Sequence, residues 1–436
     1  MTDYKSIAQH VLDCAKKYGA QNASAEISKK QRLEICWRKG QIEDIKSAGD
    51  SVLYIQLFVD GRYGYFYSSD LRQDRLDEYI HNAIDMARLL EEDSARTLPD
   101  PALYENRANV DLELFDPEVA QLTPNQVIEM CGTLEAECQK YTDIPIFDIL
   151  TRYRTSFGEL YKVNTNGFEG MNRWTSASNY CSITIKDGDK NTSGEGEHSA
   201  RFWSDLHQPD VLAAEAAQDC RYRMGATKIA SGHRTIILDQ RRSRFLQRFL
   251  NPLNGYNFVE KQSYFLDKIG QMVGSPLLDL HNKPFIKRGM NSCLFDSEGI
   301  STTEAIIMDH GKLIYCPMDT YCANKLNMKS TPELSNVVLT PGKRSCKEMI
   351  TDVKDGIYVF DLIGGNTDET QGDFSFGIFG VAIENGKLTK NVSEMNISGN
   401  FLELWKNLME VGNDPRDDSI YVMPTLRFDN VSTSGS

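Results

Sequence analysis

The chain has 436 residues, 40% of them hydrophobic and 25% charged, an ordinary globular composition that excludes a disordered tail, a collagen-like repeat and a disulfide-stapled mini-scaffold. Lysine and arginine number 48 against 62 aspartates and glutamates, a net charge of −14, so the basic footprint of a nucleic-acid binder is missing and direct contact with DNA or an anionic membrane is not expected. The ten cysteines form no Cys-x-x-Cys pair, which removes zinc ribbons and thioredoxin-like redox motifs and fits a protein with reduced thiols.

A first helix is expected over residues 3–18, where Ile7, Val11, Leu12 and Ala15 recur at helical spacing and Gly19 stops it. Short strands follow at 24–28, 33–38, 41–47, 51–59 and 62–68, punctuated by Lys39-Gly40, Gly49-Asp50 and Asp60-Gly61. The Asp60-Gly61 pair between two apolar-aromatic runs predicts a tight hairpin. A helix over 71–92, a Pro-bearing connector over 98–120 and a helix over 124–141 with Thr123 as N-cap come next. Strands return at 147–157, 159–164, 170–178 and 180–186, the polar stretch 187–196 reads as an exposed loop with a flexible Gly194-Glu195-Gly196, and a helix covers 209–224. A helix, an antiparallel meander and a helix thus occur twice, a hint of internal duplication.

Residues 225–233 read as a boundary, giving an N-terminal α+β region, 1–224, and a β-rich C-terminal region, 225–436. In the second region a strand at 235–238 and a helix at 241–250 precede short strands separated by glycines. Strand runs 356–363 and 374–383, a helix at 401–411 and a last strand near 425–428 end the chain. Helices mixed with antiparallel meanders give the fold class α+β. The apolar run 374–383 is too short to span a bilayer, and Met1-Thr2-Asp3-Tyr4-Lys5 has no signal-peptide pattern, so a cytoplasmic protein is expected.

No metal or nucleophile motif emerges. The seven histidines include no His-x3-His pair, the spacing that turns two imidazoles towards one ion. A composite site of His310 with Cys316 or Cys322 is the remaining option, against an ordinary surface histidine and buried thiols. Neither a Gly-x-Ser-x-Gly elbow nor a phosphate loop is present, and no serine or cysteine has an evident base, so no catalytic residue is nominated. Two polar clusters interrupt apolar strands: Phe295-Asp296-Ser297-Glu298-Gly299-Ile300-Ser301-Thr302, and the stretch from Gly364 to Ser375 that holds Asn366, Asp368 and Asp373. Carboxylates and glycines at a strand end suit either a structured turn, held by Asp and Asn side chains, or a site for a cation, a peptide backbone or a substrate hydroxyl.

Phe295-Asp296-Ser297-Glu298-Gly299 followed by Gly372-Asp373-Phe374-Ser375 resembles the TldD/PmbA family. In chain order, Asp60-Gly61-Arg62-Tyr63-Gly64, Asn164-Thr165-Asn166-Gly167, Ile383-Glu384-Asn385-Gly386, Ile397-Ser398-Gly399-Asn400 and Pro424-Thr425-Leu426-Arg427 are similar to further family motifs. TldD-like chains carry a His-Glu-x-x-x-His helix and a C-terminal Cys that hold a metal; PmbA-like chains, also called TldE, lack them. Here Leu246 and Gln247 stand where the first His and the Glu would be, Asn251 replaces the second His, and no Cys follows 346. Gln262-Ser263-Tyr264-Phe265-Leu266 and Leu426-Arg427-Phe428 also look closer to the PmbA branch.

The resemblance implies a non-catalytic subunit of an intracellular metalloprotease that acts on unfolded or short peptides. No metal or cofactor is then expected in this chain, with zinc in a TldD-like partner and a homodimer when the chain is expressed alone. It further implies that Asp296, Glu298, Asn366 and Asp373 lie close together near a peptide-binding cavity, the acids orienting the loops by accepting N–H bonds. The family's label as modulators of DNA gyrase is taken as indirect. A stand-alone metallopeptidase with an unconventional metal site and a peptide-binding regulatory protein are the alternatives.

Overall fold

The computed structural model describes residues 4–435, so the expected start of the first helix at Asp3 lies outside the described residues. Helix α1 (Tyr4–Lys17) buries Ile7, Val11, Leu12 and Ala15 along the stripe its spacing predicts. Strands β1 (Asn22–Arg38) and β2 (Gln41–Val59) then form one long hairpin. Lys39 and Gly40 both take positive φ, +52° and +73°, as a two-residue hairpin turn demands, and Asp60-Gly61 repeats this before β3 (Arg62–Ser68). The turn expected at Gly49-Asp50 is absent, because Gly49 sits opposite Gln31 and Asp50 opposite Lys30 in an unbroken ladder. The polar residues there lie on exposed parts of both strands, so the apolar alternation lapses while the backbone stays in the sheet.

After α2 (Gln73–Ala87), the connector and α3 (Pro117–Gln121), helix α4 (Pro124–Cys138) opens on a capping box in which Thr123 and Gln126 satisfy each other's backbone N–H. Strands β4 (Ile146–Asn164) and β5 (Glu169–Asp187) each run through two of the expected short strands. Strand β6 (Lys190–Ala200) replaces the expected loop, and α5 (Pro209–Arg223) lies across it. A Cβ on Gly194 would come within 2.0 Å of the Ala216 carbonyl oxygen, and one on Gly196 within 2.2 Å of that of Leu212. These glycines therefore serve close packing of helix on strand, a use that local composition does not distinguish from loop flexibility. The sheet has the order β3-β2-β1-β4-β5-β6, and the first strands of the two helix–meander–helix runs, β1 and β4, pair antiparallel at its centre from Ser24–Asn164 to Arg38–Leu150.

The second half begins with β7 (Gly232–Leu238), α6 (Arg244–Leu250), α7 (Gly255–Val259), β8 (Leu280–Asn282), β9 (Ala305–Asp309), β10 (Lys312–Leu313), α8 (Thr320–Leu326), β11 (Val337–Leu339) and α9 (Cys346–Thr351). It continues with β12 (Asp355–Thr367), β13 (Asp373–Glu384), β14 (Lys387–Asn400), α10 (Phe401–Lys406), β15 (Leu408–Val411), β16 (Tyr421–Val422) and β17 (Leu426–Gly435). The expected helix over 401–411 stops at Lys406: Leu408 keeps helical spacing from Phe401, Leu404 and Trp405, but it pairs with Phe428 as a strand residue. A five-stranded sheet has the order β10-β9-β8-β11-β16. The other is β14-β13-β12-β7-β17-β15, with β14 also paired to β17 so that five strands close into a ring.

Phe245 of α6 lies in the core of this half, its ring 5.6–6.4 Å from those of Phe374, Phe376, Phe401, Trp405 and Phe428. The halves are tied by buried charge: Arg241 bonds both Asp239 beside it and Asp219 on α5, at 3.1 and 2.9 Å. Among the described residues no helix is long and apolar enough to cross a membrane.

Candidate functional site

The segment before β9 carries the first polar cluster against the first six-stranded sheet. Asp296 builds a tight turn: its Oδ1 accepts the N–H groups of Glu298 and Ile300 at 3.0 and 2.9 Å, and its Oδ2 accepts that of Glu333 at 3.2 Å. Gly299 closes the turn at φ +92°, where a Cβ would strike the Phe168 ring at 2.6 Å. Glu298 reaches the other way and accepts the Thr320 N–H and hydroxyl, at 2.8 and 2.9 Å, at the start of α8. Burial pushes the Asp296 carboxyl up to about 7, with the charges of Glu333 and Glu298 adding to it, and burial raises Glu298 as well.

A cleft of about 440 Å³ opens between this turn and strands β4 and β5, lined among others by Lys162, Trp174, Arg201, Asn291, Asp296 and Glu333. Lys162 is almost wholly buried; its Nζ donates to the Ser297 carbonyl at 2.5 Å and lies 3.3 Å from Glu26. Arg201 is buried too, and donates to the main-chain carbonyls of Thr175, Gly289 and Met290. No carboxylate among the described residues forms an ion pair with it, and burial holds its guanidinium down to about 10. Cys293 lines the cleft, but burial raises its thiol above the ordinary range, so at neutral pH it is not the thiolate a nucleophile must be. Cations, carboxylates and main-chain carbonyls facing an indole wall can hold a polar chain; they do not form a nucleophile–base pair.

The second cluster is the tip of the β12–β13 hairpin. Gly364 and Gly365, at φ +57° and +110°, make a bulge that returns Asn366 to the ladder opposite Ser375. Asp368 accepts the N–H groups of Thr370 and Gln371, while Asp373 accepts the Asn400 side-chain amide at 2.9 Å rather than a backbone N–H. Asn366 and Asp373 are exposed, whereas Asp296 is buried. The structure brings Asp296 and Glu298 into one turn and Asn366 and Asp373 onto one tip, and it joins the two through helices: Glu298 holds α8, α8 packs on Gly255 of α7, and Asn257 of α7 donates to Glu369 at 3.0 Å.

Lys162, Arg201 and Glu333 were not singled out by sequence. The available signal for Lys162 was a lone cation between Tyr161 and Val163, both apolar and buried. On α6 and its C-cap, Leu246 is sealed in the core while Gln247 and Asn251 are exposed, so these positions offer an aliphatic side chain and two amides, none of them a good zinc ligand. The residues at this helix do not fit a resident zinc. The His310–cysteine option does not form either: His310 stands exposed 2.7 Å from Asp309, while Cys316 and Cys322 are in the core.

Models of three PmbA/TldA metallopeptidase domains match the chain, the first domain at residues 23–87, the central domain at 117–220 and the C-terminal domain at 231–435. A Bacteroides thetaiotaomicron structure described as a candidate modulator of DNA gyrase is 33% identical, each chain covering all of the other, with a TM-score of 0.95. The chain belongs to the PmbA/TldD family. The metalloprotease PmbA of Escherichia coli O157:H7 is 26% identical over 404 residues, 90% of this chain and 87% of that one. TldE from Thermococcus kodakarensis, at 18% identity and TM-score 0.87 over 98% of this chain, has the same fold.

Proposed function

We propose that this chain is a PmbA/TldE-type, non-catalytic subunit of a two-component metalloprotease, and that it contributes substrate-holding surface for unfolded or short peptides while a TldD-like partner carries the zinc. The observation that carries the reading is α6 with its C-cap, where a core leucine and two exposed amides stand at the positions that the resemblance assigns to the TldD-type metal ligands. Supporting it, the cleft beneath Asp296 offers donors and acceptors to an extended main chain without a group able to attack one. Asp296 lines this cleft and Glu298 ties the same turn to α8; Asn366 and Asp373 would meet substrate at the exposed hairpin tip. In this reading the chain expressed alone pairs with itself in place of the partner, across an interface above ~2,000 Å² in total.

The test is co-expression with a TldD-like chain from the same genome. The two should co-purify and cleave unstructured peptides in a chelator-sensitive way, while the pure chain alone should not. Asp373→Ala should slow cleavage by the pair without separating the subunits. Chelator-sensitive cleavage by this chain alone would overturn the reading.

A further inference from the structure

We propose that His10, Cys14 and Asp77 form a binding site for a divalent ion of the zinc class, at the seam between α1 and α2 and separate from the cleft and from α6. His10 and Cys14 are one helical turn apart and share a face of α1. Asp77 comes from α2, so the three donors are drawn from two elements that the fold packs together. The Nε2 of His10 lies 2.7 Å and the Sγ of Cys14 3.0 Å from Oδ1 of Asp77, and Nε2 and Sγ are 3.6 Å apart. All three donor atoms therefore fall within 4.8 Å of one another.

Zinc bonds of about 2.0 Å to nitrogen and oxygen and about 2.3 Å to sulfur place tetrahedral donors roughly 3.3–3.8 Å apart. The Cys–His separation already meets this, and the two contacts to Asp77 must open by less than about 1 Å. That movement is available, since the His10 and Asp77 side chains are 31% and 40% exposed. Cys14 is buried, and water would take the fourth position from the side where His10 and Asp77 are partly exposed. On binding, the metal–sulfur bond forms as the Cys14 proton leaves to solvent, and no electron is transferred. One thiolate and one carboxylate then balance the dication. Lys17 lies 3.6 Å from the other Asp77 oxygen. A thiolate with an imidazole selects zinc, cobalt or copper over magnesium and calcium. A second cluster, Asp279, Asp309 and His310, is more exposed and has no sulfur, so spectroscopy separates the two.

The experiment titrates metal-free, full-length protein with cobalt(II), then with zinc(II). The expected result is one equivalent of cobalt giving a thiolate-to-cobalt charge-transfer band and the visible bands of a tetrahedral site, both abolished by zinc. Cys14→Ser should remove the charge-transfer band, and His10→Ala and Asp77→Asn should each weaken binding by about tenfold or more, the loss that even a supporting residue of a zinc site causes. A missing thiolate band, or one that survives Cys14→Ser, overturns the proposal and leaves the three residues as a hydrogen-bonded staple between helices. If Cys14→Ser does not fold, His10→Ala decides alone: unchanged cobalt affinity refutes the site. None of these readouts involves peptide cleavage, so the result stands apart from the subunit reading above.

Discussion

Replacing Asp296 by Asn should reverse its effect on stability between acid and alkaline pH. In the folded chain the carboxyl is pushed up to about 7, first by burial and then by Glu333 and Glu298, whereas an unfolded aspartate titrates near about 3.9. The native state therefore keeps a proton through this window that the unfolded chain has already lost, and stability falls as pH rises from about 4 to 7. A displacement of about three pH units, at about 1.4 kcal/mol each, is worth about 4 kcal/mol. Asparagine removes this titration. Its oxygen can still accept from Glu298 and Ile300, but its NH₂ faces the Glu333 N–H, and a buried donor left unpaired costs about 1–3 kcal/mol. The variant should thus be less stable than the parent by about 1–3 kcal/mol near pH 4 and more stable by a similar amount near pH 8. Urea unfolding across that range, followed by tryptophan fluorescence, measures both. A stability difference that stays constant from pH 4 to 8 would refute the reasoning.

Two further substitutions probe the packing. Phe245→Ala should cost about 3–5 kcal/mol in chemical denaturation, because it empties the aromatic core of the second half. Gly196→Val should cost about 1–3 kcal/mol, seen as a lower urea midpoint, since its Cβ meets the main chain of α5 and no rotamer relieves the clash; an unchanged midpoint would mean that α5 is free to lift from β6.

How far the sequence can be read differs by element. A sharp start was legible to the residue, as in α4, which begins at Pro124 behind Thr123, whereas helix ends were read too long: α4 stops at Cys138 rather than 141, and α2 at Ala87 rather than 92. The long strands were divided at their polar middles, because alternation reports burial and not backbone pairing, and β1 stays paired on both sides through Lys29–Arg32. Strand β6 was hidden because its glycines serve packing against the following helix, α5, which a local glycine-rich composition does not report. At the site, the polar clusters drew attention through local contrast, and the turn chemistry of Asp296 follows from its residue type. The cleft itself was not legible: it needs Lys162 and Arg201 from the first half and Glu333 from the second, and nothing local links these positions. The His10–Cys14 spacing was visible in sequence, but its third member arrives only when α2 docks.

The central seam of the first sheet also sets an order of assembly. On each side of the seam, the turns at Lys39-Gly40 and residues 165–168 join neighbouring strands, so the β1–β2 and β4–β5 hairpins can close over short loops. Pairing β1 with β4 instead brings Ser24 to Asn164, and the loop entropy of that closure comes before most of its contacts repay it. The two hairpins should form early and the seam late, leaving a refolding intermediate with two exposed strand edges that can pair with another molecule as readily as with each other. Pulsed hydrogen exchange should accordingly protect the hairpin amides before those of the seam; protection of all of them at once would show that the sheet forms in a single step.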